Sequence, residues 1–151
     1  MEQLLRGIVK MKVKKLLDTA ILPTLGSDAA AGYDLYAAKP CVIEPGQMVM
    51  VHTGWAMEIP LGWWGGIYAR SGLATKRGLR PANCVGVIDS DYRGEIMVAL
   101  YNDSGVDQEI KVGDRIAQLI LDEYSRVQWE VVDTLDETGR SSGGFGSTGL
   151  Q

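Results

Sequence analysis

Asp89 follows the apolar pair Val87-Ile88 and precedes Ser90-Asp91, with Tyr92 three residues on. A carboxylate beside a flat ring suits the activation of water next to a sugar; the same residues also make an ordinary turn. Ala69-Arg70-Ser71-Gly72 sets a guanidinium, a hydroxyl and a glycine amide in a row. That run fits an anion, or a helix cap beside a solvated arginine. Gly113-Asp114-Arg115-Ile116-Ala117-Gln118 reads as a turn entering a strand. Asp114 and Arg115 there read as a structural ion pair, and Gln118 as a side chain facing a polar site. The chain's one phenylalanine, Phe145, lies in Arg140-Ser141-Ser142-Gly143-Gly144-Phe145-Gly146-Ser147-Thr148-Gly149. Four glycines in ten residues leave too little apolar area to pack alone. An aromatic ring, an arginine, hydroxyls and glycine amides on such an arm fit a lid that orders on a nucleotide. A Gly/Ser tail without a ligand has the same composition.

Other chemistries find no support. His52 is the sole histidine and no nucleophile turn accompanies it, so a Ser/His/Asp triad is not expected. No GxxxxGK[ST] phosphate loop occurs. Cys41 and Cys84 stand apart, outside any CxxC or Cys/His cluster, and read as small hydrophobes rather than zinc ligands or a disulfide. A net charge of -4 argues against a general nucleic-acid binder, though not against a local arginine cluster holding one nucleotide. No apolar run reaches membrane-spanning length. The N-terminus is not basic, and Arg6 and Lys10 break its apolar run, so no secretory leader is expected. The expected setting is cytoplasmic or otherwise soluble intracellular.

These residues need positioning elements, and the pattern predicts strands. Hydrophobic content of 46% in 151 residues suits one globular domain. Short β-rich runs alternate with turn signals about 8–12 residues apart, as in a sandwich or barrel. Strands are predicted from Met48, over Trp55–Ile59, from Ile67, over Arg115–Leu121 and over Val127–Val132. Leu61-Gly62-Trp63-Trp64-Gly65-Gly66 reads as a tight connection. Val85–Ile88 and Glu95–Tyr101 flank a turn-rich centre and predict a β-hairpin. One short helix is expected near Ser71–Lys76, before Gly78. The body is expected to span residues 1–135, with 1–10 a candidate N-terminal extension, and the arm residues 136–151.

Taken together, five segments in order resemble the homotrimeric all-β dUTPases. They are Ala31-Gly32-Tyr33-Asp34-Leu35-Tyr36-Ala37-Ala38, Ala69-Arg70-Ser71-Gly72, Gly86-Val87-Ile88-Asp89-Ser90-Asp91-Tyr92-Arg93-Gly94, Gly113–Gln118 and Arg140–Gly149. The resemblance covers about residues 13–149. It implies a distorted jelly-roll β-sandwich of the β-clip kind, with a flexible Gly-rich arm and active sites shared within a trimer. It implies hydrolysis of dUTP to dUMP and pyrophosphate, which limits uracil in DNA and supplies dUMP for thymidylate synthesis. Asp89 would activate water for attack at the α-phosphorus, and Tyr92 would lie under the deoxyribose. The backbone near Asn83, Gly86 and Met97 would read the uracil edge. Arg70, Ser71, Gly72 and Gln118 would hold phosphates. Arg140, Gly146, Ser147 and Thr148 would cover the γ-phosphate end, with Phe145 stacked on uracil.

Mg²⁺ bridging phosphate oxygens is the expected cofactor, with Asp34 either near its waters or structural. Two departures stand out: Ala69 where many members have proline, and Ser141 where many have glycine. The nearest alternative is a dCTP deaminase, or a bifunctional dCTP deaminase/dUTPase, of the same fold. Membrane and nucleic-acid partners are not expected.

Overall fold

The computed structural model describes residues 8–139 and 141–142. The elements run β1 (Lys12–Lys15), β2 (Thr24–Leu25), β3 (Tyr33–Tyr36), β4 (Cys41–Ile43), β5 (Met48–Glu58), β6 (Trp63–Tyr68), α1 (Ser71–Arg77), β7 (Leu79–Pro81), β8 (Gly86–Ile88), β9 (Glu95–Asn102), β10 (Gln108–Ile110) and β11 (Arg115–Glu123). A four-stranded sheet has the order β1-β5-β9-β7, and a five-stranded sheet the order β2-β3-β11-β6-β8. Strands β10 and β4 form a two-stranded piece. Every ladder is antiparallel, in a jelly-roll-like arrangement.

Alternation explains how the sheets close on each other. Along β9, Ile96, Val98, Leu100 and Asn102 are buried while the residues between are half-exposed. That is the period-2 signature of a strand with one face on the core. Leu35, Ile43, Val51, Ile67, Leu79, Ile110, Ile116 and Leu119 meet them from the other strands. Buried Asn102 is fully used: its amide donates to the carbonyls of Ile43 and Val106, both at 2.8 Å, and its oxygen accepts from Ser104. Those bonds offset the cost of a polar side chain in the core.

Helix α1 begins where expected and ends at Gly78, whose φ of 65° is the left-handed stop that glycine favours. Lys76 and Arg77 occupy its last turn, the favourable end for cations.

Several expectations are corrected. Strands β8 and β9 do not pair with each other; β8 lies on β6 and β9 on β5 and β7. Asp89–Gly94 is therefore a corner between the two sheets, not a hairpin tip. Trp63–Gly66 is not a connection but the start of β6. Gly65 and Gly66 are buried there, and a Cβ on Gly65 would stand 3.0 Å from side-chain atoms of both Ile59 and Leu119. Glycine marks close packing in this strand, not a turn. Residues 127–132 form no strand: after Glu123 the described chain is exposed, with Trp129 86% and Val131 97% accessible. The apolar alternation is present, but among the described residues no neighbouring strand offers it a ladder. Among the described residues no helix is long and apolar enough to cross a membrane.

Candidate active site

Three neighbouring strands build an arginine-lined pocket. Asp34 on β3 faces Gln118 on β11, and Gln118 faces Tyr68 on β6. Arg70 and Ser71 follow β6 directly, so residues distant in sequence share one end of the sheet. The pocket, about 240 Å³, is lined by Gly26, Ala30, Gly32, Asp34, Arg70, Ser71, Gly72, Arg115 and Gln118. It is smaller than the roughly 300–1,000 Å³ of a complete small-molecule site.

Arg70 is not solvated as a cap residue would be. Its Nε donates to Asp34 Oδ1 at 2.8 Å, and it makes no side-chain cap to the helix. Gln118 Nε2 donates to the Ala69 carbonyl at 2.9 Å, leaving its second N–H for the pocket. Gly32 permits that placement, since a Cβ there would stand 2.8 Å from Gln118 Oε1. Ser71 and Gly72 are exposed at the mouth. The Asp114–Arg115 pair is corrected. Asp114 Oδ2 accepts from the Lys111 amide at 2.9 Å and closes a turn, while Arg115 Nη1 donates to Asp34 Oδ2 at 3.4 Å.

The second centre is the corner after β8. Its backbone is laced by its own side chains. The Tyr92 amide donates to the Asp89 carbonyl at 3.2 Å, and Arg93 Nη1 donates to the carbonyls of Ser90 at 2.7 Å and Tyr92 at 3.0 Å. The Tyr92 hydroxyl donates to the Glu95 carbonyl at 3.0 Å, drawing the ring across Gly94, where any Cβ would collide with it. Gly94 thus makes room for a fixed, 41% exposed ring. Asp89 is exposed, because β8 is an edge strand and the corner lies between the two sheets. It borders a cleft of about 610 Å³ lined also by Leu61, Trp64, Val87, Ser90, Asp91, Tyr124 and Arg126.

Glu95 anchors the far side of the corner. Its carboxylate accepts from the Gly54 amide at 2.9 Å and sits 2.9 Å from His52 Nδ1. The sole histidine is therefore tied to the root of this loop, a role its sequence neighbours do not reveal.

Asn83 lies in the turn joining β7 to β8. The Cys84 amide donates to Pro81 and the Val85 amide to Asn83, with Cys84 at φ 63°. The Ala82 amide donates to the Ala99 carbonyl at 2.7 Å, which brings this turn alongside β9 and Met97. Gly86 is buried, with space for a Cβ limited by Ile67 at 3.2 Å. Arg140, Phe145, Gly146, Ser147 and Thr148 lie outside the described residues.

The two centres do not meet within one chain. Ile88 pairs with Gly65, so Asp89 lies near the Trp64 end of β6, while Arg70 and Ser71 leave its other end. Six or so extended residues separate them, about 20 Å at roughly 3.3 Å each. No cluster of three or more His, Cys, Asp or Glu side chains that could hold a metal occurs among the described residues. Both carboxylate oxygens of Asp34 face arginines.

An antiparallel jelly-roll-like body with an arginine-lined pocket at one sheet end and a carboxylate corner at the other defines an all-β class of fold. The dUTPase family profile matches residues 18–149. The probable deoxyuridine 5'-triphosphate nucleotidohydrolase of Schizosaccharomyces pombe is 48% identical over 138 residues, covering 91% of this chain and 97% of its own length. The enzyme of that name from Desulfitobacterium hafniense is 51% identical over 132 residues, covering 85% and 87%. A Staphylococcus bacteriophage 80alpha dUTPase variant, solved with dUpNHpp, superposes with a TM-score of 0.87 at 26% identity, covering 93% of this chain and 99% of its own. The chain belongs to the dUTPase family.

Proposed function

We propose that this protein hydrolyses dUTP to dUMP and pyrophosphate. The observation that carries this reading is the dUTPase match over residues 18–149, which spans both the pocket and the corner. Water attacks the α-phosphorus as Asp89 takes its proton, and the bond from that phosphorus to the bridging oxygen breaks to release pyrophosphate. Arg70, Ser71, Gly72 and Gln118 hold the phosphate oxygens. Tyr92, fixed over Gly94, forms the platform under the deoxyribose and leaves no room for a 2′-hydroxyl. The backbone near Asn83, Gly86 and Met97 reads the uracil edge. The reaction limits uracil in DNA and supplies dUMP for thymidylate synthesis.

Mg²⁺ would be held mainly by the substrate's own phosphates and by waters, since the pocket supplies arginines and amides rather than a carboxylate cage, and it would offset charge on the triphosphate. A water-activating base must work within hydrogen-bond reach of the attacked atom's water. The span of β6 between Asp89 and Arg70 thus favours a site completed by a second subunit, in a homotrimer. The exposed apolar run through Val127, Trp129 and Val131 supports the same assembly, because such a run gains by docking on another chain. Residues 136–151 act as the arm, with Arg140, Gly146, Ser147 and Thr148 over the terminal phosphates and Phe145 on the base.

The test is incubation with Mg²⁺ and, separately, dUTP, dCTP, dTTP and UTP, measuring pyrophosphate and ammonia. Pyrophosphate from dUTP alone is the expected result. Ammonia from dCTP would assign a deaminase instead.

A further inference from the structure

Regular pairing between β5 and β9 breaks off at the root of the corner. His52 pairs with Met97 and Ala56 with Glu95, so Thr53, Gly54 and Trp55 stand against Ile96 alone. Gly54 takes φ 75° within that bulge. Two successive carbonyls of β9 there accept from side-chain hydroxyls: that of Glu95 from Tyr92 at 3.0 Å, and that of Ile96 from Thr53 at 2.6 Å. The Tyr92 ring is thus hung on the backbone of Glu95, at the point where the ladder to β5 is least regular.

The Glu95 side chain bridges the gap. One carboxylate oxygen accepts from the Gly54 amide at 2.9 Å, and the other lies 2.9 Å from His52 Nδ1. The two side chains are 19% and 33% exposed, so the contacts are partly shielded from water. Each carboxylate oxygen therefore has a partner on β5, and the carbonyl that carries Tyr92 belongs to the same residue. His52 is also the cross-strand neighbour of Met97, so the clamp lies beside the strand read as meeting the uracil edge. A platform that refuses one extra hydroxyl acts by sterics and must be held to within about 0.5 Å. Of the groups that hold the Tyr92 ring, only Glu95 reaches back into a neighbouring strand with both its backbone and its side chain engaged.

We infer that Glu95 is a positioning residue for sugar selectivity. By clamping β9 to β5 through Gly54 and His52, it fixes the carbonyl on which the Tyr92 ring is held. It thereby sets how strictly the site refuses a ribose 2′-hydroxyl. This rests on reading the corner as the deoxyribose site. It gives the sole histidine a share in choosing the substrate, exerted through Glu95.

The test is the ratio of kcat/KM for dUTP to kcat/KM for UTP, measured on the full-length protein for Glu95→Ala, Glu95→Gln, His52→Ala and Tyr92→Phe. Glu95→Ala is expected to lower the ratio by roughly ten-fold, the scale of one lost hydrogen bond to a charged group. The change should come mainly from admitting UTP, with kcat for dUTP little altered. Glu95→Gln keeps an acceptor for the Gly54 amide and should retain most of the ratio. His52→Ala removes one of the two tethers and should lower the ratio less. Tyr92→Phe cuts the ring from the Glu95 carbonyl, so adding Glu95→Ala to it should lower the ratio little further. A merely structural role would reduce stability and both kcat/KM values together. An unmoved ratio in Glu95→Ala would therefore overturn the inference, as would effects of Glu95→Ala and Tyr92→Phe that multiply in the double variant. Should Glu95→Ala not fold, an unmoved ratio in both His52→Ala and Tyr92→Phe would overturn it as well. No turnover of dUTP by the unmodified chain would reject the reading of the corner and the inference with it; turnover with an unmoved ratio in the variants rejects the inference alone.

Discussion

In the proposed mechanism Asp89 would carry the chemistry because of where it stands, not because of a special environment inside this chain. The corner is held by backbone bonds and by Arg93, none of which uses the Asp89 carboxylate. Asp89→Asn should therefore keep the corner and nucleotide binding while turnover falls by roughly 10²-fold or more, the scale of losing a positioned base. Unchanged single-turnover rates would remove Asp89 from the mechanism. Cys41 offers a separate check on burial. Desolvation holds its thiol above its ordinary value near 9.0, so the reactive thiolate is scarcer in the folded protein at any pH below that shift. Alkylation of Cys41, followed by mass spectrometry against pH, should require higher pH in the folded protein than in urea. Coincident profiles would contradict the burial. Arg70 and Gln118, which stand in separate dense runs of polar and glycine residues, are brought to one pocket, and Asp89 and Tyr92 share the corner after β8. Arg115 was misassigned to Asp114 because adjacency in sequence suggests a pair, whereas a strand sends neighbours to opposite faces. Only a bulge in β11, between Arg115 and Ala117, decides which residues share one, and no local residue signals it. Ser141 adopts φ 44°, in the region glycine favours, so the departure from glycine noted there coincides with a backbone that glycine adopts at less cost.

The elements were read well where alternation is uninterrupted, as along β9, and less well where glycine intervenes. The sequence pattern divides β5 into two pieces; the strand runs continuously from Met48 to Glu58 across an irregularity at Gly54. The irregularity is satisfied from within: the Thr53 hydroxyl donates to the Ile96 carbonyl at 2.6 Å, and the Gly54 amide to Glu95. Gly54 has φ 75°, and a Cβ there would stand 2.6 Å from that of Ala20 and 3.1 Å from that of Leu17. Gly54→Ala should destabilise the fold by about 1–3 kcal/mol, combining overpacking with an unfavourable φ. Chemical denaturation would show it as a lower midpoint at an unchanged slope. An unaltered midpoint would mean that the bulge yields freely. Pairing partners are a different matter. The hairpin expected around Asp89–Gly94 had the right strands and the right turn, but in this fold successive strands enter different sheets, and that is set by long-range packing. The 127–132 strand had the right alternation and no ladder to join.

For the whole molecule, the decisive question is whether one chain holds a complete site. If base and phosphate pocket come from different subunits, two dead proteins can repair each other. Asp89→Asn and Arg70→Ala, each inactive alone, should regain activity when unfolded together and refolded. With random mixing in a symmetric assembly, about a quarter of the sites would combine an intact Asp89 with an intact Arg70. Failure to exceed the sum of the separate proteins, with mixed assemblies present by mass spectrometry, would argue for sites contained in single chains. The overall all-β architecture was legible from its short, evenly spaced apolar runs. The distance between the two centres was not, because it depends on which end of β6 each loop leaves.

If the site is shared as proposed, strand β6 acts as a built-in delay. A newly made copy would then carry every functional group and yet catalyse nothing until it found its fellows, so catalytic output would rise more steeply than abundance when chains are scarce. The same spacing would make defects spread within an assembly. A chain lacking only Asp89 would still assemble, and each one admitted would silence a site whose remaining parts come from sound neighbours.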